Sequence, residues 1–225
     1  MSLSTWAQQL EAILCDSLNE KDIWQTAGFI NPEFKQLKPA PGTYFTHEFE
    51  LNMVIFRKTG WTEKDVLNQI SKATHIFKQC GINISPIKMI LTDAPQNKID
   101  INYNIREDDH MARLTPLTKK PVVYFIRSNI EGQLAYSWDA SIEPPGSPRL
   151  NTVWITRNKN PKQNVLAHEL GHILGASSHR PGLEKNLMSG VPEFINDRLE
   201  KDQCEAFKRS PLLKKTVINM ELLRP

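Results

Sequence analysis

His168-Glu169-Leu170-Gly171-His172-Ile173-Leu174-Gly175, with His179 and Met188 downstream, is the stretch on which the reading of this chain turns. Two histidines four residues apart share one face of a helix and stand close enough to hold one metal ion. Glu169 lies on the flank of that face, within reach of a water bound to such an ion. At about 100° per residue, Leu166, Leu170, Ile173 and Leu174 gather on the opposite face. One side of the helix is therefore apolar and faces a core, while the other offers ligands to a cleft. Asn160-Pro161-Lys162-Gln163 reads as the helix start, with Asn160 as cap, Pro161 at the first helical position and Gln163 completing a capping box. Gly175 falls where the helix should stop, because glycine accepts the positive φ of a sharp turn.

That turn can bring His179 back toward the pair as a third ligand. Three imidazoles leave a fourth position open to water, which distinguishes a catalytic zinc site from a structural one. A helix whose surface histidines merely happen to be four apart explains neither the carboxylate, nor the glycine, nor the following histidine.

With these residues in place, the sequence resembles the metzincins, zinc endopeptidases that carry HExxHxxGxxH and a Met-turn. His168, Glu169, His172 and Gly175 match that pattern position by position. The text HELGHILGA is close to that of bacterial, matrixin-like members, and reprolysins and archaemetzincins belong to the same clan. Asn186-Leu187-Met188-Ser189 resembles the Met-turn, so the resemblance makes Met188 the apolar floor beneath a zinc ion. One position departs from the pattern. The family's third ligand follows the glycine by three residues, where this chain has Ser178, and His179 comes one residue later. Serine is a poor neutral ligand, so His179 is the expected ligand, with Ala176, Ser177 and Ser178 absorbing the extra residue. Glu184 or Glu193, giving a gluzincin-like site, is the alternative.

The chain has 225 residues, enough for one substantial core with a smaller lobe. Its 40% hydrophobic and 24% charged residues suit a soluble globular protein. Net charge is only +3, and basic residues are scattered in short runs such as Lys214-Lys215. Nothing in that pattern argues for a nucleic-acid groove, and no nucleic-acid partner is expected; no apolar stretch approaches transmembrane length. Cys15, Cys80 and Cys204 allow at most one intramolecular disulfide, and none sits in a CxxC motif. Cys80 ends a predicted helix, where a buried thiol packs well. Cys15 is expected to be an ordinary buried or bonded cysteine, although some metzincins cap their zinc with an N-terminal cysteine. A monomer is the expected oligomeric state.

Leu3, Trp6, Leu10, Ile13, Leu14 and Leu18 repeat at helical spacing, so residues 1–25 read as an amphipathic helix and not as a signal peptide. Pro32, Pro39, Pro41 and Gly42 punctuate a connector over 31–46. Residues 1–46 thus form an extension or pro-segment, and 47–225 the catalytic domain. Its upper lobe spans about 47–176 and its lower lobe about 177–225. Secretion, or export to the periplasm, is implied by the resemblance alone.

Within the domain, 47–57 reads as a strand with Phe49, Leu51, Met53 and Ile55 on one side. Thr62 caps a helix whose stripe is Val66, Leu67, Ile70, Ala73 and Phe77, ended by Gly81. Strands follow at 82–91, 121–126, 133–138 and 151–156, with 99–105 a short strand or irregular excursion. Strand, helix and strand in this order predict an α/β (α+β) fold around a twisted, mostly parallel sheet. The resemblance adds backing and active-site helices above the cleft, and a small C-terminal lobe with a Met-turn and a closing helix over 196–208. It also makes Leu134, Ala135 and Tyr136 an antiparallel edge that binds an extended peptide by strand addition. Val191 and Pro192 would line a side-chain pocket. Protein or peptide is the implied substrate and one zinc ion the cofactor. Glu107-Asp108-Asp109-His110 offers hard oxygen ligands of the kind calcium takes, but it lacks the spacing and glycine of a calcium loop. A solvated surface loop is expected there. His47 and His75 are expected to be ordinary residues.

Overall fold

The computed structural model describes residues 45–94, 99–102, 107–114, 121–129, 132–157, 164–176, 178–183, 185–190 and 196–216. The expected N-terminal helix, Cys15, Glu184, Val191, Pro192 and Glu193 lie outside them.

The first unit is β1 (His47–Phe56), α1 (Glu63–Phe77) and β2 (Ile82–Thr92), and its two strands pair in parallel. Thr62 caps α1 through a reciprocal capping box with Asp65, which fixes where the chain turns into helix. A short 3-10 turn, Lys78–Cys80, follows α1, and Gly81 closes it at φ 70°. Then come β3 (Asp100–Ile101), α2 (Glu107–Leu114), β4 (Val122–Ile126), β5 (Ser128–Asn129), β6 (Ala135–Trp138), β7 (Thr152–Thr156), α3 (Val165–Ile173), α4 (Lys201–Lys208) and β8 (Leu213–Lys215).

The main sheet runs β2-β1-β4-β7-β6. Strands β2, β1, β4 and β7 are mutually parallel, and β6 runs antiparallel to β7. The chain is thus a mixed α/β protein with a mostly parallel sheet. The central strands β4 and β7 are buried along their whole length, as parallel strands covered on both faces must be. Phe49, Leu51, Met53 and Ile55 of β1 join α1 and α3 in one core, while Val54 and Phe56 face a second core with Tyr124 and Trp154. In that second core Tyr124 stacks on Trp154 with ring centroids 4.1 Å apart.

Three features differ from expectation. The acidic run Glu107–His110 is the first turn of α2 and not a solvated loop. Asp108 is fully buried there, accepting a hydrogen bond from the Trp138 indole at 2.6 Å and lying 3.6 Å from the Arg149 guanidinium. Its partners come from 30 and 41 residues away, so neither the run itself nor its local pattern announces the burial. The closing helix is shorter than 196–208: it begins at Lys201, and Glu200 completes a capping box with Gln203. Ahead of it, Arg198 bridges to Asn186 in a short backbone pairing. Finally, β8 had no sequence signal; it pairs antiparallel with the start of β1, His47 opposite Lys215.

Cys80 and Cys204 form a disulfide, joining the turn after α1 to α4. Gln79 adds to this join, donating to the Asp197 carbonyl at 2.6 Å and accepting from the Leu199 amide. Among the described residues no helix is long and apolar enough to cross a membrane.

Candidate metal centre

Helix α3 carries His168, Glu169 and His172, and packs Leu166, Leu170, Ile173 and Leu174 into the core. It ends at Ile173, and Gly175 at φ 119° then reverses the chain. The described helix starts at Val165, with Asn164 at its cap position. The Asn164 side chain makes no capping bond and instead donates to the Asn196 carbonyl at 3.1 Å. Asn160, Pro161 and Gln163 lie outside the described residues.

The turn brings His179 back onto the pair. Its Nε2 lies 3.2 Å from that of His168, and the Nε2 atoms of His168 and His172 are 3.3 Å apart. One ligand atom from each of the three rings lies within 4.8 Å of the others. Ser178 is exposed.

The outer nitrogens decide the tautomers. His168 Nδ1 lies 2.7 Å from the Leu187 carbonyl oxygen, and His172 Nδ1 lies 2.8 Å from that of Ala176. A carbonyl only accepts, so each Nδ1 carries its proton and each Nε2 presents a lone pair. Two lone pairs facing each other at 3.3 Å repel unless a cation lies between them. Ligands about 2.0–2.1 Å from a tetrahedral zinc stand about 3.3 Å apart, which the spacing matches. Backbone carbonyls behind the imidazoles also orient them and raise their basicity, as partners of zinc ligands do. Burial pushes the pKa of His168 down to about 4 and lowers that of His172, so both rings are neutral and ligand-competent near neutral pH. The residues present thus fit a zinc ion.

Glu169 is buried, and burial pushes its carboxyl up to about 7, against the pull of a hydrogen bond from Ser137. The Ser137 hydroxyl donates to Glu169 Oε2 at 2.8 Å. Sequence reading passed over Ser137, because a serine in a strand is unremarkable until its register is known.

Met188 lies fully buried directly under α3. A Cβ on Gly171 would come within 2.6 Å of its sulfur. The turn is held by Asn186, whose Oδ1 accepts from the Met188 amide at 2.9 Å. Gly171 and Asn186 act through packing and turn contacts that the sequence pattern alone does not show.

On the opposite wall, β6 pairs on one side with β7, and among the described residues nothing pairs with its other side. Leu134 precedes it and accepts from Thr156 through its carbonyl. Ala135 lies against the core that contains α3, whereas Tyr136 packs into the second core, stacked on Trp154. His47 is buried and bonded to Thr46, and His75 is exposed; neither joins the histidine group.

No family model and no curated protein matches this sequence. Among solved structures, metalloproteinase-II from Bacteroides fragilis matches with a TM-score of 0.53 at 22% identity, over 79% of this chain and 57% of that one. Archaemetzincin from Methanopyrus kandleri matches with a TM-score of 0.48 at 15% identity, over 76% of this chain and 98% of that one. The chain therefore spans little more than half the length of the Bacteroides metalloproteinase, and what it shares with that protein is the fold: a mostly parallel sheet packed by helices.

Proposed function

We propose that this chain is a zinc-dependent endopeptidase in which His168, His172 and His179 hold the metal and Glu169 is the general base and acid. The observation that carries this reading is the convergence of three imidazole Nε2 atoms, two with their tautomers fixed by carbonyls, next to a buried carboxylate. A structural zinc site needs no such carboxylate.

A zinc ion held there supplies Lewis acidity, polarising a peptide carbonyl and lowering the pKa of a water bound to it. Glu169 takes a proton from the attacking water as its oxygen adds to the carbonyl carbon, then delivers that proton to the leaving amine nitrogen. The side of β6 that no described strand pairs with supports an extended peptide substrate, laid along the strand by main-chain hydrogen bonds. A cavity of about 290 Å³ beside His172 leaves room for a substrate side chain. Met188 serves as the apolar floor of the site. Residues 47–225 form the catalytic domain in this reading, with lobes at about 47–176 and 177–225. The Cys80–Cys204 disulfide supports a secreted or periplasmic location, since such bonds persist where the surroundings are oxidising.

The test is cleavage of casein, a disordered protein, by zinc-loaded wild type and by Glu169→Ala, each with and without chelator. The expected result is wild-type cleavage that is abolished by chelator and reduced at least about a thousandfold in a variant that still binds zinc. A folded, zinc-loaded wild type that cuts nothing, or a Glu169→Ala enzyme with near-normal turnover, sinks the proposal.

A further inference from the structure

Glu169 has three side-chain torsions and one described partner. Among the described residues, the Ser137 hydroxyl is the group hydrogen-bonded to its carboxylate, through Oε2 at 2.8 Å. This contact follows from strand register. Alternation along β6 sends Ala135 and Ser137 to the face covered by α3, and Tyr136 and Trp138 to the opposite core. Ser137 pairs with Val153 of β7, a residue of the same core as α3, and Trp154 next to it faces away. The aromatic side chains lock the strand from behind. Tyr136 stacks on Trp154 at 6.1 Å, and Trp138 is held by Asp108 through its indole and by Arg149 over its ring at 4.1 Å. Ser137 therefore stands on a fixed strand and points at one oxygen of the carboxylate.

We propose that Ser137 is a positioning residue for the general base: its hydroxyl holds Glu169 Oε2, so that Oε1 is the oxygen presented to the attacking water. The inference rests on the reading of Glu169 as that base. A serine hydroxyl has a single proton to donate, and committing it to Oε2 assigns the two carboxylate oxygens different tasks. Fixing a reacting group in advance spares the reaction the entropy of ordering it. The arrangement also places the base and the peptide on one element. A substrate pairing with the side of β6 that no described strand occupies aligns itself on the strand whose Ser137 aligns Glu169, so the scissile bond and the base share one frame of reference.

Ser137→Ala, Ser137→Thr and Glu169→Ala, each alone, and the Ser137→Ala/Glu169→Ala double variant test this. For Ser137→Ala, kcat is expected to fall about 10- to 100-fold with KM within about twofold. Zinc affinity by chelator competition and the melting temperature stay near wild type. Ser137→Thr, which keeps the hydroxyl and suits a strand, restores most of kcat. In the Glu169→Ala background the serine change costs nothing further. Crystals of metal-free Ser137→Ala show the Glu169 carboxylate spread over more than one rotamer, where wild type shows one. Wild-type kcat in Ser137→Ala, an equal loss in both backgrounds, or a carboxylate that stays ordered without the hydroxyl overturns the proposal. If wild type cleaves no peptide at all, the peptidase reading fails separately, and the order of Glu169 in the two crystals alone decides whether Ser137 positions it.

Discussion

Asn186 and Gln203 hold each other by a reciprocal pair of amide hydrogen bonds, Nδ2 to Oε1 at 3.0 Å and Nε2 to Oδ1 at 3.1 Å. Both are buried, and both oxygens take a second donor: Asn186 Oδ1 the Met188 amide, Gln203 Oε1 the Glu200 amide. The pair thus ties the cap of α4 to the turn under the histidine group. The carbonyl of Leu187, which lies between Asn186 and Met188 in that turn, is the acceptor for His168 Nδ1.

Replacing Gln203 by Ala leaves the Asn186 amide buried without its partner. We expect a loss of about 1–3 kcal/mol in unfolding free energy. Because the Leu187 carbonyl is released with it, zinc affinity should fall about tenfold. Urea unfolding and chelator competition on one preparation check the two together; a stability loss with unchanged zinc affinity separates the turn from the metal.

Gly171 is fixed by what lies beneath it. A methyl group there meets the Met188 sulfur at 2.6 Å and Phe207 Cζ at 3.7 Å. Alanine gains about 1 kcal/mol of helix propensity over glycine, but overpacking costs about 1–3 kcal/mol. Gly171→Ala should therefore be neutral to about 2 kcal/mol destabilising. The flexible Met188 side chain is the group that must move. Making the same change in a Met188→Ala background should be stabilising, a sign reversal that thermal melts detect.

Reducing the Cys80–Cys204 bond releases a link between residues 124 apart in sequence. The expected cost is about 2–5 kcal/mol. Cys204 neighbours Gln203, so the paired Cys80→Ser/Cys204→Ser variant should also bind zinc less tightly. Calorimetry with and without reductant, alongside mass mapping of the thiols, gives the answer. Identical melting curves would falsify a stabilising role for the bond.

Asp65 carries the pH dependence of the α1 cap. The Thr62 hydroxyl is the largest influence holding its carboxyl below the ordinary value of 3.8; burial pulls the other way, and the Arg157 guanidinium adds to the lowering. A folded-state pKa below the unfolded one means that this stabilisation is present above about 3.8 and is lost as pH falls through the lowered value. Asp65→Asn should cost about 1 kcal/mol at pH 7, and that cost should fade as pH falls through the lowered value. Melting temperatures of both proteins, converging toward acid, check the sign.

Much of the site was legible because its geometry is local. A helical repeat sets His168 against His172, and a glycine just past the helix end returns the chain to His179, whatever the rest of the fold does. The first strand–helix–strand unit was legible for a similar reason: β1, α1 and β2 are contiguous, with a Thr62 cap and a Gly81 stop. What escaped depends on distant partners. Asp108 looked solvated because Trp138 and Arg149, which bury it, lie in another part of the chain. Ser137 acquires its meaning from register, where a shift of one residue would turn it to the far side of the sheet. Strand β8 is too short to carry a pattern, and only its pairing with β1 defines it.

That pairing has a mechanical consequence. His47 stands opposite Lys215 and Phe49 opposite Leu213, and the amide of Thr216 reaches the carbonyl of Thr46 at 3.0 Å. Tension applied through residues 45 and 216 therefore pulls at the same end of an antiparallel pair. It loads the rungs one after another and peels β8 away like a zipper, where a parallel arrangement would have shared the load in shear. The first thing such a pull removes is the segment that follows α4. A motor that drags the protein by both of these points would loosen β8 well before it strained the buried strands.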